Sequence, residues 1–153
     1  MSVAFFPFSA RDAMRIRLQE SQRVEMGIDS TAGLTMAQAL DLEQGAAWTA
    51  REVRQGAVGR ILCCAGFREI FTGRQGLAWA MLADGLSATQ LLSVTRFARA
   101  RIAASPLRRI ECLTADRAPE RQWAELVGMR FNTLLHAYGA ASETVCLYER
   151  VKG

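Results

Sequence analysis

The last third of the chain decides the fold, because four patterned stretches follow one another there: RIECL at Arg109–Leu113, PERQWAELVG at Pro119–Gly128, MRFNTLLHAY at Met129–Tyr138 and TVCLYERV at Thr144–Val151. Apolar and alternating runs predict strands for the first, third and fourth stretches. The second stretch starts with proline and stops at glycine, which is typical of a helix. Asp116 can cap this helix, and Trp123, Leu126 and Val127 are predicted to face the core. The C-terminal part is therefore predicted to be strand, helix, strand, strand.

Upstream of these stretches, the longest helix of the chain is predicted at about Ala88–Ala104. Ser87 is a good N-cap for this helix, and Ser105-Pro106 ends it. The helix joins an apolar strand at Leu77–Leu82 to the strand that contains Ile110–Leu113. A strand, helix, strand crossover of this length predicts that the two strands are parallel.

The first half begins with a strand at Val3–Pro7. Ser9 with Asp12 matches a capping box and predicts a helix whose apolar face continues through Met14 and Leu18. Two further helical pieces are predicted, at Gln19–Met26 and after Thr35. From Ala46 the pattern changes to a β-hairpin that turns at Gln55-Gly56. The chain thus ends in the order β, β, β, α, β, α, β, β.

Composition fits one globular domain. The 153 residues are half apolar and 22% charged, which is too apolar for a disordered chain. The short apolar run at Met1–Phe8 is interrupted by Pro7 and predicts a strand, not a signal peptide. No run approaches the roughly 20 apolar residues of a membrane span. We expect a soluble, intracellular protein with no membrane partner.

The four cysteines lie in apolar, strand-like runs with no CxxC spacing, and the chain has one histidine. Reduced, buried thiols are the preferred interpretation, because cysteine behaves as a small apolar residue in protein cores. A zinc site is not expected. The net charge of +4 is modest. The strongest cluster of basic residues consists of Arg96, Arg99, Arg101, Arg108 and Arg109. A solvated helix face explains this cluster better than a nucleic-acid site, which remains a weaker alternative.

Four stretches resemble a known family: Ala47-Trp48-Thr49-Ala50, Ala65-Gly66, Gly76–Leu82, and Trp123 with Leu126-Val127-Gly128-Met129. They are similar to the GNAT superfamily of N-acetyltransferases, and more narrowly to GNAT-like proteins of tailed phages and prophages. The resemblance implies an α/β (α+β) fold with a single domain over residues 1–153. It implies a mixed, mostly antiparallel sheet with a splayed central parallel pair and helices on both faces.

The resemblance also implies a function, a cofactor and a location. The activity would be transfer of an acetyl group from acetyl-CoA to an unknown amine, without a metal, in the cytoplasm of a bacterial host cell. In this family, backbone groups of the central strand bind the pantetheine arm and the next helix N-terminus receives the pyrophosphate. The matching positions here are Met81, Leu82, Ala83, Ser87, Ala88 and Thr89.

Several positions depart from the family pattern. The stretch Ala83–Thr89 has one glycine, where GNAT enzymes usually have a glycine-rich loop, and Asp84 would place negative charge near the phosphates. Many family members have Asn and Tyr where this chain has Arg117 and Ala124. These departures support an alternative: a catalytically inactive GNAT-like phage or prophage protein that is a virion or assembly component, or a homo-oligomer.

Four residues are candidates for proton transfer, and one of them, Tyr148, is either an acid or an ordinary strand tyrosine. Glu111 is the nearest carboxylate that could act as general base, although an ordinary surface-facing strand carboxylate is the simpler interpretation. His136 could act as a base near pH 7, with a structural hydrogen bond as the alternative role. Tyr138 is a candidate acid, and an ordinary strand tyrosine is its alternative.

Overall fold

The computed structural model describes residues 2–19, 34–139 and 141–153 of the chain. The strands of its sheet are β1 (Ser2–Pro7), β2 (Ala47–Arg54), β3 (Ala57–Phe71), β4 (Gln75–Leu82), β5 (Arg109–Ala115), β6 (Arg130–Tyr138) and β7 (Glu143–Val151). The helices within the described residues are α1 (Ala10–Arg15), α2 (Met36–Asp41), α3 (Ala88–Ala104) and α4 (Ala118–Leu126).

The seven strands are hydrogen bonded in the order β1-β2-β3-β4-β5-β7-β6. The pairs β1–β2, β2–β3, β5–β7 and β6–β7 are antiparallel, and β4–β5 is parallel. The parallel register joins Gln75–Leu77 to Arg109–Glu111, although β4 continues to Leu82 and β5 to Ala115. This arrangement confirms the predicted α+β fold with a mixed, mostly antiparallel sheet and a parallel pair.

The chain divides into two compact units, so the single-domain range 1–153 stays a prediction. The first unit consists of Met1–Arg68 and Ala80–Val94, and the second of Glu69–Trp79 and Thr95–Gly153. The elements β3, β4 and α3 contribute residues to both units.

In the first unit, buried polar contacts attach α1 to β2. Asp12 completes the predicted capping box with Ser9. Its carboxylate also accepts a 2.8 Å hydrogen bond from the Thr49 hydroxyl and forms a 3.0 Å ion pair with Arg51. Because Thr49 and Asp12 are buried, these bonds satisfy polar groups that would otherwise destabilise the fold. The capping role predicted for Thr35 is also confirmed at α2.

The hairpin of β2 and β3 forms as predicted. Gln55 and Gly56 both have positive φ angles, of 49° and 79°, as a tight two-residue turn requires. Gly66 lies opposite Ala47 in this pair, and a Cβ atom at position 66 would lie 2.6 Å from the Ala46 carbonyl oxygen. Glycine at 66 therefore allows the two strands to approach closely.

In the second unit, β5 and β6 flank β7, and α4 packs next to them. The Trp123 indole N–H donates a 2.9 Å hydrogen bond to the Thr95 hydroxyl, which ties α4 to the second half of α3. Gly128 has a φ of +99° and follows α4, as predicted for a glycine helix stop. The fully buried side chains of this unit include Ile110, Cys146 and Tyr148.

Some local predictions are wrong. The first helix ends at Arg15, so Leu18 is outside it, and Met14 is 45% exposed. The helix predicted at Gln19–Met26 lies outside the described residues except for Gln19, which is not helical. Asp116 does not cap α4, because the N-cap position is taken by Arg117. Leu126, predicted to face the core, is 57% exposed, whereas Val127 is buried as predicted, and Ala124 is buried as well.

Candidate functional site

The end of β4 in the first unit carries the predicted pantetheine-binding positions. The Ala83 amide donates a 2.9 Å hydrogen bond to the Leu62 carbonyl of β3. On the opposite edge, the Gln19 amide donates to the Leu82 carbonyl at 3.1 Å, and the Asp84 amide donates to the Arg17 carbonyl at 2.7 Å. Successive residues of a strand direct their backbone groups to alternate sides. The edge that faces away from β3 is therefore covered by Arg17–Gln19.

The entrance to α3 is formed by Ser87, as predicted. The Gln90 amide donates a 3.1 Å hydrogen bond to the Ser87 hydroxyl, and the Ser87 amide donates to the Gln90 side-chain oxygen at 2.9 Å. This reciprocal capping box satisfies two of the four amides that an α-helix leaves open at its start. The other two belong to Ala88 and Thr89, which are exposed. These two amides and the helix dipole favour an anion.

Arg60, which sequence reasoning missed, holds the loop between β4 and α3. Its two terminal nitrogens donate 3.0 Å hydrogen bonds to the carbonyls of Asp84 and Gly85. Its Nε lies 3.4 Å from Glu52, which also accepts a 2.7 Å hydrogen bond from the Gln90 side chain. The sequence gives no signal for Arg60, because its partners lie 24 and 25 residues further along the chain. The site thus contains a cation that the loop sequence lacks.

Glu111, in the second unit, is engaged by a neighbouring arginine. Arg109 Nε lies 2.6 Å from its carboxylate, and Arg109 Nη1 lies 2.6 Å from Glu149. Glu111 and Glu149 are direct cross-strand neighbours, so their charges would repel without this arginine. The hydrogen bond to Glu111, followed by that to Glu149, raises the pKa of Arg109. The carboxylate of Glu111 is therefore bound to a permanent cation.

His136 and Tyr138 lie on β6, at the other end of β7 from Glu111. The Nδ1 atom of His136 is 3.2 Å from the Thr144 hydroxyl, and Tyr138 is paired with Glu143. Glu149, the partner of Glu111, is five residues from Thr144 along β7, or about 17 Å at the rise of a strand. The structure thus brings His136 and Tyr138 to one end of the strand and leaves Glu111 at the other.

A second group of side chains, whose contacts sequence reasoning missed, surrounds the buried Tyr148. Its hydroxyl accepts a 3.3 Å hydrogen bond from Arg121, which also forms a 3.0 Å ion pair with Asp116. Asp116 accepts a 3.5 Å hydrogen bond from the Cys146 thiol. The Phe131 ring packs edge-on against Tyr148 and lies under the Arg121 guanidinium, 4.9 Å from its carbon. These contacts fix Tyr148 and explain why Asp116 is not available as a helix cap.

Three of the four thiols are buried, as the sequence predicts. Cys63, Cys64 and Cys146 are buried, Cys112 is half-buried, and all four are free. Burial raises the pKa of Cys64 and of Cys112 to about 12. Such thiols are protonated near pH 7 and are poor nucleophiles and metal ligands. Among the described residues, no group of histidine, cysteine or carboxylate side chains could hold a metal ion.

The arginine cluster is partly engaged inside the second unit. Arg99 donates a 2.8 Å hydrogen bond to the Leu126 carbonyl, and Arg109 is held by its two carboxylates. Arg99 and Arg109 are therefore committed to structural contacts, which weakens the nucleic-acid alternative. As for membranes, the described part of the chain contains no helix with the length and hydropathy of a bilayer span.

Comparison with known proteins places the fold. No protein-family model and no curated protein sequence matches the chain. Among solved structures, one assigned as a phosphinothricin N-acetyltransferase matches with a TM-score of 0.72 at 10% identity, covering 99% of both chains. The structure of Ard1 from Thermoplasma volcanium matches with a TM-score of 0.66 at 12% sequence identity, and the match covers 99% of this chain and 98% of the Ard1 chain. A GNAT-family acetyltransferase from Bacillus anthracis matches with a TM-score of 0.64 at 11% sequence identity, and the match covers 97% of this chain and 94% of the other. The chain has the GNAT fold.

Two positions of α4 depart from the usual GNAT pattern in the structure as in the sequence. Arg117, where many GNATs have Asn, is the N-cap residue and makes no side-chain capping bond. Ala124, where many have Tyr, is buried and has no group that could protonate a thiolate. None of the three solved structures is described as a phage protein, so the phage or prophage origin remains a prediction.

Proposed function

We propose that this protein is a GNAT-fold acetyltransferase that transfers an acetyl group from acetyl-CoA to an amine. The observation that carries the proposal is the start of α3. There the amides of Ala88 and Thr89 remain open after the Ser87–Gln90 capping box has formed. A pyrophosphate group is the ligand that such a helix N-terminus favours.

Arg60 supports the same proposal. The carbonyl oxygens of Asp84 and Gly85 would repel a phosphate, but both accept hydrogen bonds from the Arg60 guanidinium. A guanidinium has five N–H donors, and three are directed at the two carbonyls and at Glu52. We propose that Arg60 supplies the positive charge that the glycine-poor loop lacks. The pantetheine arm would then lie along the backbone of Met81, Leu82 and Ala83.

Titration of the protein with acetyl-CoA in a calorimeter tests this site. We expect binding by the wild-type protein and its loss, by about 100-fold or more, in Thr89→Glu. A carboxylate at the second position of the helix repels phosphate, and like charges at close quarters cost several kcal/mol. Thr89→Gln is the matched control, since it has the same shape without the charge, and it should bind nearly as well as wild type. Absence of binding to wild type at millimolar acetyl-CoA would refute the enzyme proposal.

For the chemistry, we propose His136 as general base and Tyr138 as general acid. The amine must lose a proton to attack the thioester carbonyl, and the departing thiolate must gain one. His136 Nδ1 lies 3.2 Å from the Thr144 hydroxyl, and in the tautomer in which Nδ1 donates to this hydroxyl, Nε2 is the nitrogen that can take the proton. Glu111 is the third candidate, and it would first have to leave Arg109.

Kinetics with a panel of amines separate these candidates. Removing a general base typically costs 10²- to 10⁴-fold. We expect His136→Asn to lower kcat/KM by about 100-fold. Glu111→Gln should change kcat/KM by less than about threefold, because its carboxylate is paired with Arg109. The reverse result would transfer the role of base to Glu111.

A catalytically inactive GNAT-fold protein is the second candidate. It is favoured by Arg17–Gln19, which covers the edge of β4 that a pantetheine arm would use. A phage virion or assembly component, or a homo-oligomer, would be such a protein. Lack of acetyl-CoA binding together with co-purification with capsid, portal or tail proteins would favour this candidate over the enzyme.

A further inference from the structure

We propose that Arg17–Gln19 is an internal strap that competes with acetyl-CoA for the end of β4. This inference rests on the proposed function, because it concerns the regulation of the same site. The strap forms an antiparallel bridge in which Leu18 faces Ala83. The strap therefore pairs with the end of β4 as a very short additional strand.

The strap takes the backbone groups that a bound ligand would need. Leu82 offers its carbonyl and Asp84 its amide on the edge facing away from β3, and both are hydrogen bonded to the strap. The Gln19 side chain adds a third bond, donating to the Ala83 carbonyl at 3.2 Å. A pantetheine arm and the strap cannot use the same carbonyl and amide at once, so binding of one excludes the other.

The strap can dissociate from β4 without unfolding of the first unit. The α1 helix ends at Arg15, and Ile16 is extended, with ψ of 135°, while its side chain is buried. Ile16 can therefore stay in the core as an anchor while the residues after it move. Arg17 is exposed and Leu18 and Gln19 are only half-buried, so little apolar area is lost on release. The strap is thus held on β4 by its three hydrogen bonds and not by apolar burial.

Competition of this kind has a measurable consequence. The apparent affinity for acetyl-CoA is reduced by the fraction of molecules in which the strap is released. Weakening the strap should therefore tighten binding. Gln19→Pro removes both the Gln19 amide and its side-chain donor, and keeps an extended backbone at Leu18. We expect acetyl-CoA to bind Gln19→Pro about 10-fold more tightly than wild type, the equivalent of one to two ordinary hydrogen bonds.

Two matched variants accompany this one. Gln19→Ala keeps the backbone amide and loses only the side-chain bond, and should tighten binding by about threefold. Arg17→Ala keeps the carbonyl that accepts from Asp84 and should show no tightening. Thermal unfolding followed by circular dichroism confirms that each variant folds. If Gln19→Pro does not fold, Gln19→Ala carries the comparison.

Amide hydrogen exchange of the wild-type protein gives an independent readout. With acetyl-CoA bound, we expect the Gln19 amide to lose protection, because it has left Leu82. If acetyl-CoA binds wild type and Gln19→Pro equally and the Gln19 amide stays protected, the strap does not compete; this overturns the inference and leaves acetyl-CoA binding intact. If neither protein binds acetyl-CoA while the Gln19 amide is protected, the proposed function fails and the inference fails with it.

Discussion

The two ends of α3 satisfy their open backbone groups in different ways. At its start, a capping box of Ser87 and Gln90 satisfies two amides and leaves those of Ala88 and Thr89 open. At its end, Arg150 donates to the carbonyls of Ile102, Ser105 and Leu107 at 2.9, 3.3 and 2.7 Å. One end is left ready for an anion, whereas the other is closed by a cation of the chain itself.

This difference separates a binding feature from a structural one. A helix carries partial positive charge at its start and partial negative charge at its end, so either end can be completed by a ligand or by a side chain. The residues Ile102, Ser105 and Leu107 are buried, so their carbonyls need a permanent partner. Ala88 and Thr89 are exposed, so water can hydrogen bond to their open amides until a ligand replaces it.

The largest expected effect follows from removing the cation. Arg150→Met keeps much of the side-chain volume and leaves three buried carbonyls without their donor. We expect a loss of about 3 kcal/mol in the free energy of unfolding, since each such group costs about 1 kcal/mol or more. Desolvation lowers the pKa of Arg150, but the group remains charged at neutral pH. Urea denaturation of both proteins measures the difference.

Arg99→Met is the matched control for that variant. Arg99 also serves a helix end, because it donates a 2.8 Å hydrogen bond to the Leu126 carbonyl at the end of α4. Arg99 is exposed and serves one carbonyl, so its loss should cost no more than about 0.5 kcal/mol. Equal losses in the two variants would show that burial and the number of carbonyls do not distinguish the two helix ends.

The same two ends show how much the sequence predicts. The limits of α3 could be predicted because local signals mark them: a capping serine before Ala88, and Ser105-Pro106 after Ala104. Arg150 could not be assigned as a partner of this helix, since its contacts to Ile102 and Ser105 span 48 and 45 residues. Helix ends are thus local features, whereas the groups that close them often come from elsewhere in the chain.

The candidate site follows the same division. The backbone positions Met81–Ala83 and the cap Ser87 were predicted from local pattern and resemblance. The strap was not predicted, because the sequence shows a helical pattern over Met14–Leu18. The contact that holds the strap joins Gln19 to Ala83, which is 64 residues further along the chain. Glu111 was predicted as a base from its position alone, and a neighbouring side chain, Arg109, changed its environment. Such tertiary contacts leave no periodic signal in the sequence.

The smallest expected effect belongs to the open end of α3 and separates capping from binding. Ser87→Ala removes the acceptor for the Gln90 amide and should cost about 1 kcal/mol in the free energy of unfolding. Ser87→Asp keeps a capping oxygen and should retain wild-type stability within about 0.5 kcal/mol, because an anion at a helix N-terminus is favourable. Ser87→Asp should be the more stable variant but should bind acetyl-CoA more weakly than Ser87→Ala, since the aspartate repels phosphate and alanine does not. If Ser87→Asp binds acetyl-CoA as tightly as Ser87→Ala, the phosphates do not lie at this end, and its open amides serve only water.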